Sequence, residues 1–531
     1  MKQPKEGALI VGERDVLSIY IRARERAAHF TPPLLAASLI FQTLLASVKK
    51  IKNLNRRFIY YFLFLILVAD LAYSFMQHYS MPLDGDMAGG IVPAEDVKQI
   101  LNDPFGISVI TENAVYPNPN RFFAHWTFYN YFNHVPLWLQ SFVSPIDSVY
   151  LSAAIAKIFI QILIMTLLAL FITGQQKIIK ADFLIAAILT VPLFQTNGYR
   201  SYMGIIDPSI TYSFFYALPC SLLLLFYLPF FYDSVYGTTI MKKPFVQILV
   251  FSLAIFIVFN GVLNPGIILT VALLFGLRNY FKTDKELSLI KRAIQTFKVV
   301  QKTHLFYFTF VSLLSLYALY VGKNNSIFLG ETISIGERYS RIPMGIITIL
   351  TQKIGFSIFL TAIGINIFLL RRNIRDNKIK KVLNLFNWIG LFSLIYILLL
   401  PLGGYKEYRP YILRYDTIMP ITIGLIFIYA KSSYHLIKLL NGKSWNLYII
   451  LIIVFTLIFS NADKPEFKKN QCEKFALEKI ANSTDKVVLI DNDCTVLSWE
   501  KITDSKKSIL NGQLLNIWRI TSYTKQYYQK E

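Results

Sequence analysis

Apolar residues in this chain gather into long continuous blocks instead of recurring at the spacing of a soluble core. Blocks of about 20 apolar residues are what a helix needs to cross a bilayer. Hydropathy predicts eleven such spans, at 57–77, 149–174, 183–197, 209–232, 245–262, 266–277, 304–321, 344–370, 382–402, 417–431 and 446–460. The sixth is the shortest and follows the fifth through Leu263-Asn264-Pro265. Those two read as a tight helical hairpin or a re-entrant pair, and the parity of every later span depends on which.

Basic residues arbitrate. With the start of the first span cytoplasmic, the inside loops carry 20 Lys/Arg and the longer outside loops carry nine. Every inside assignment then follows the positive-inside rule. The expectation is an all-α polytopic protein of the plasma (inner) membrane with about eleven transmembrane helices, N-terminus cytoplasmic and C-terminus outside.

Residues 1–56 form a cytoplasmic or interfacial N-terminal segment in this reading. Its apolar stretch 33–48 is short and follows Arg14, Arg22, Arg24 and Arg26, which suits an interfacial helix better than a span. Residues 57–460 form the membrane module, including a long outside loop at 78–148. Residues 461–531 turn polar: 465–483 has helical spacing, and Lys486-Val487-Val488-Leu489-Ile490 before Asp491-Asn492-Asp493 reads as a strand ending in a turn. A small extracytoplasmic α/β appendage is expected there. It holds Cys472 and Cys494, which on the oxidising side can join in a disulfide.

Composition supports the membrane reading: 54% of residues are hydrophobic and 16% charged, where soluble domains carry about 25% charged. The net charge of +22 follows from the loop bias and calls for no nucleic-acid partner. No Walker loop, no GxGxxG after a strand and no zinc-ligand spacing is present.

Candidate chemistry sits in the outside loops. The first opens Met81-Pro82-Leu83-Asp84-Gly85-Asp86, placing two carboxylates just beyond the first span in a Pro/Gly-bent segment. Asp84 and Asp86 there can take up a proton or hold a divalent cation such as Mg or Mn; the plain alternative is that they cap a turn. Glu95-Asp96 read as a helix start. His125 and His134 lie in an aromatic run, 122–138, that reads as an interfacial helix. Loop 198–208 holds Arg200 and Asp207, and loop 322–343 holds Glu331, Glu337, Arg338 and Arg341. Most distinctive is 403–420, with Lys406, Glu407, Arg409, Arg414 and Tyr415 ahead of Pro420. Its cations stand on the side the positive-inside rule disfavours, where they can bind a phosphate or anchor a helix end.

A carboxylate pair beyond the first span, a long first outside loop with interfacial helices, and Arg414-Tyr415 followed by Pro420 opening a late span together resemble the GT-C superfamily of membrane glycosyltransferases. The resemblance covers the layout of 57–460 and about thirty residues in motif. It implies transfer of a sugar from a polyprenyl-phosphate carrier to a glycan, lipid or protein acceptor, with inversion. Asp84 or Asp86 would be the base, and Lys406, Arg409, Arg414 and Tyr415 would hold the lipid phosphate, with Arg338 and Arg341 as substitutes. Arg200, Asp207, Glu331, Glu337, Glu407 and His125 are secondary candidates. The second acidic pair that some members carry in a later loop is missing. Two other readings stand beside this one: an O-antigen-type lipid-linked glycan polymerase or ligase, and a flippase or transporter without covalent chemistry.

Overall fold

The computed structural model describes residues 56–530 apart from 176, 179, 195–202, 284–287, 329–332, 375, 404–408 and 410. The predicted helix at 33–48 therefore lies outside the described residues, as do Arg200, Glu331, Lys406 and Glu407. The described chain is dominated by helices, with one two-stranded sheet near its end.

In chain order the helices used below are α1 (Arg56–Tyr79), α2 (Met87–Ile91), α3 (Phe122–Leu139), α4 (Pro145–Thr173), α5 (Ala181–Thr190) and α6 (Ile210–Tyr236). Next come α7 (Pro244–Val258), α8 (Asn264–Tyr280), α9 (Leu289–Val299), α10 (Lys302–Gly322), α11 (Ile335–Thr351) and α12 (Gly355–Arg371). They are followed by α13 (Asn377–Leu399), α14 (Met419–Leu439), α15 (Gly442–Ala462) and α16 (Gln471–Asn482). Among the described residues, six helices are long and apolar enough to cross a membrane: α1, α4, α6, α10, α13 and α15. Each of the eleven predicted stretches overlaps a helix over the residues described, with 195–197 outside them.

Two details differ from the expectation. The stretch 344–370, read as one span, is the pair α11 and α12, bent by 86° at a short break. Thr351-Gln352-Lys353 interrupts the apolar run there, and polar backbone at membrane depth breaks where side chains can replace its bonds. The sixth stretch is longer than its apolar centre, because Asn264 and Pro265 start the helix and it runs on to Tyr280.

α4 shows how local sequence sets these elements. Ser144 caps its start by accepting a hydrogen bond from the Asp147 amide at 3.1 Å, Pro145 fills the first position, and Gly174 ends it at φ +68°. Ser152, Ala153, Ala154 and Ala156 face inward and let neighbouring helices approach. α14 is the most enclosed helix; its buried Lys431 donates to the Ile172 carbonyl and to Tyr236 Oη, so a cation inside the bundle is satisfied. α9 is different: Leu289, Ile290, Ile294, Phe297 and Val299 are exposed beside Lys291 and Lys298, as in a helix lying in a bilayer interface.

The predicted strand is present at Val487–Ile490 (β1) and pairs in parallel with Gln526–Gln529 (β2), Val488 opposite Tyr527. Cys472 and Cys494 are joined in a disulfide, Cα to Cα 6.1 Å. This C-terminal unit does not stand apart. Its Leu477, Val488, Leu515 and Trp518 share one apolar core with Met87, Ile91, Phe128 and Phe132 of the first long loop. Trp518 donates its indole N–H to the Phe132 carbonyl at 3.0 Å. The shared core sits over the loop end of α1, α4 and α6.

Candidate functional site

The two loop carboxylates occupy opposite situations. Asp84 is buried, and its oxygens accept from Ser209 Oγ (2.8 Å), the Thr211 amide (3.0 Å), Thr211 Oγ1 (2.8 Å) and the Asp86 amide (3.1 Å). A carboxylate has about four acceptor positions, so all of Asp84 is used in binding the first loop to the start of α6. Ser209 in turn caps α6 through the Tyr212 amide at 3.2 Å. The turn-capping alternative describes Asp84. Asp86 is exposed, and its carboxylate accepts the indole N–H of Trp499 at 3.1 Å.

Around Asp86 the chain gathers groups from distant segments. Tyr212 is their hub, lying within electrostatic reach of Arg409, Asp86, Asp416 and Arg414. Its ring stacks on Tyr216 one turn along α6 (5.7 Å, 12°) and meets Tyr415 (6.2 Å) and Trp499 (6.2 Å, 72°). The first turns of α6 are wound as a π-helix at Ser213–Ala217, a local widening often found at functional positions. Tyr415 hydrogen-bonds Asp207, and burial first, then Asp207, pushes its phenol above the ordinary value. Asp207 also accepts the Ser209 amide at 2.8 Å.

Arg414 pairs with the buried Asp416 at 2.5 Å inside a tight turn, where Thr417 Oγ1 accepts the Arg414 amide. Arg121, just before α3, joins them from the other side, in reach of Tyr216 and Arg409. Its Nε is buried with no hydrogen-bond partner among the described residues. Burial, with the Arg409 charge nearby, holds its guanidinium below the ordinary value. An anion binding beside Arg121 and Arg409 would offset the repulsion between their charges.

Of the residues singled out in the sequence, Asp86, Asp207, Arg409, Arg414 and Tyr415 lie in one neighbourhood. The sequence reading treated them as candidates in separate loops. It missed Arg121, Tyr212, Asp416 and Trp499. Arg338 and Arg341 have other work: Arg338 donates to the carbonyls of Ile333 (3.1 Å) and Gly403 (2.9 Å), and Arg341 pairs with Glu337 at 2.5 Å. His125 is buried against Phe215, ring centroids 4.8 Å apart. Burial and then Arg121 hold its pKa down to about 3, so it is neutral and supports the site from behind.

A divalent cation held by Asp84 and Asp86 does not fit this arrangement. Asp84 has no oxygen position left for a metal, and no cluster of three or more potential ligands exists among the described residues.

Below the site runs an open apolar groove of about 340 Å3 between α4, α6, α8, α13 and α14. Cys220, Phe392 and Pro420 line its upper end, Phe230 and Val271 its length, and Arg278 its far end. Buried Tyr396 lies between the Cys220 of the groove and the Asp416 of the site, donating to the Thr417 carbonyl at 3.0 Å. Cys220 and Pro420 of the lining each follow a residue of the site, Tyr216 and Asp416, by four positions in the chain.

No protein-family profile matches this chain, and no curated protein is similar to it. Its site is read from its own geometry.

Proposed function

We propose that the protein is a membrane glycosyltransferase that moves a sugar from a polyprenyl-phosphate carrier to an acceptor hydroxyl on the outer face of the inner membrane. The supporting observation is that Arg409, Arg414 and Asp86 converge on Tyr212, with Arg121 in reach of Arg409 and Tyr216, beside an apolar groove lined at Cys220 and Pro420. A lipid-linked donor has that shape: an isoprenoid tail for the groove and a phosphate at its head for the arginines. In this reading the chain crosses the membrane eleven times, with the N-terminus cytoplasmic and the C-terminus outside. The bias of basic residues and the Cys472–Cys494 disulfide both favour that orientation.

The chemistry is a single displacement. The acceptor oxygen attacks the anomeric carbon and gives its proton to Asp86. The bond from the anomeric carbon to the phosphate oxygen breaks, and the leaving phosphate keeps the electron pair, its charge stabilised by Arg121, Arg409 and Arg414. The anomeric configuration inverts.

The test is transfer of labelled sugar from a panel of polyprenyl-phosphate donors by purified protein, wild type against Asp86→Asn. A loss of about 10²–10⁴-fold with unchanged unfolding supports Asp86 as base. Retained anomeric configuration in the product excludes the single displacement. The same arginines suit a lipid-linked glycan polymerase or ligase, and full transfer by Asp86→Asn moves the reading there.

A further inference from the structure

Trp499 is 57% exposed although it stands at the mouth of the site. A single exposed aromatic is ordinary on a protein surface, and what distinguishes this one is how it is fixed. The ring is also held. Asp86 accepts its N–H, Tyr212 packs edge-on against it, and Gly85 passes directly beneath it. A Cβ at Gly85 would come within 2.6 Å of Trp499 Cδ1 and 2.7 Å of its amide nitrogen, so the close approach depends on glycine there. The indole is thus held at its nitrogen edge and still largely exposed, next to the carboxylate assigned as base.

We infer that the acceptor is a carbohydrate and that Trp499 is the platform on which its ring lies. This rests on the transferase reading given above. A pyranose has an apolar face of C–H bonds that stacks on the negative face of an indole, and a rim of hydroxyls that bonds carboxylates. A ring stacked on Trp499 carries its hydroxyl edge toward Asp86. The charges suit a neutral acceptor: Asp86, Asp207 and Asp416 stand opposite Arg121, Arg409 and Arg414, and the arginines serve the donor phosphate. A protein or lipid acceptor has no comparable need for an open indole at this place. The C-terminal unit, which contributes only Trp499 to the site described, would then select the acceptor.

Saturation-transfer NMR with the purified full-length protein in detergent tests this, using methyl glycosides of glucose, galactose, mannose and N-acetylglucosamine as probes. At least one glycoside is expected to receive saturation on its C–H face. That signal should fall at least tenfold in Trp499→Ala and in Gly85→Ala, and persist, weakened, in Trp499→Phe. Signal unchanged in Trp499→Ala, or absent from every glycoside, overturns the platform. Polyprenyl phosphate binding, followed separately by thermal shift, should be the same in Trp499→Ala and wild type. Glycoside binding without polyprenyl phosphate binding would leave the platform standing and remove the transferase reading instead.

Discussion

Glu473 of the C-terminal unit accepts a hydrogen bond at 2.7 Å from Tyr150 of α4, a partner 323 residues away. The same carboxylate accepts the amides of Leu83 and Leu497, each at 2.8 Å, and so ties the first loop, the membrane helix and the segment leading to Trp499 to one point. Burial is the main reason its pKa rises to about 7 from 4.5, and Asp84 adds to the rise; the three donors oppose it. The folded protein therefore binds a proton there more tightly than the unfolded chain. Its contribution is complete below about pH 4.5 and is lost as pH rises through about 7. Thermal unfolding between pH 5 and 8 should show stability falling by roughly 3 kcal/mol from this group. Glu473→Gln should flatten that slope while costing about 1–3 kcal/mol for the acceptor it lacks. An unchanged slope in the variant would mean that another group titrates.

Asp84 and Asp86 should separate cleanly. Asp84→Ala strands Ser209, Thr211 and a backbone amide in a buried turn and should lower stability by about 2–4 kcal/mol. Asp86→Ala should change denaturation by less than about 1 kcal/mol while removing most transfer. Equal stability losses in the two variants would contradict this division of labour.

Arg121 is the arginine that reading the sequence passed over, and its replacement is the sharpest test of the anion site. Arg121→Gln should weaken polyprenyl phosphate binding at least tenfold, about 1.4 kcal/mol or more. It should also ease the charge crowding on Arg409, leaving stability equal or slightly raised. Tighter phosphate binding in Arg121→Gln would show that the anion sits elsewhere. His125, behind it, stays neutral above about pH 4, so His125→Gln should leave the pH profile of transfer unchanged.

Joining Cys472 and Cys494 fixes two segments that both feed Glu473: Cys472 is its neighbour and Leu497 lies three residues beyond Cys494. Replacing both by Ser should lower stability by about 2–4 kcal/mol. Mass spectrometry of alkylated protein without reductant should find one modified cysteine at most, the buried Cys220. Alkylation of Cys472 or Cys494 in native protein would show the bond to be open.

The helices were legible in the sequence because long apolar blocks admit no other solution in a bilayer. The break between α11 and α12 was not, because two polar residues vanish in a hydropathy average taken over a whole span. Within the site, Asp86, Arg409, Arg414 and Tyr415 were visible as charge and aromatic groups on one end of the bundle. Which of Asp84 and Asp86 turns inward depends on Ser209 and Thr211, over a hundred residues further on, and no local signal reports that. Trp499 reaches Asp86 across 413 residues, and an exposed tryptophan in a polar tail has no linear mark. Asp416 was hidden by its neighbour, since an Arg and an Asp two apart read as ordinary surface charge until the turn folds them together.

The core shared by the first loop and the last segment has a temporal consequence. Phe128 and Phe132 leave the ribosome long before Leu515 and Trp518, which cover them; Phe132 and Trp518 are 386 residues apart. Until those later residues emerge the rings lack their lid, and a pairing this non-local is slow to form. A nascent chain can insert its helices and still hold no Trp499 over Asp86. In that interval the exposed rings are a natural handle for a folding helper.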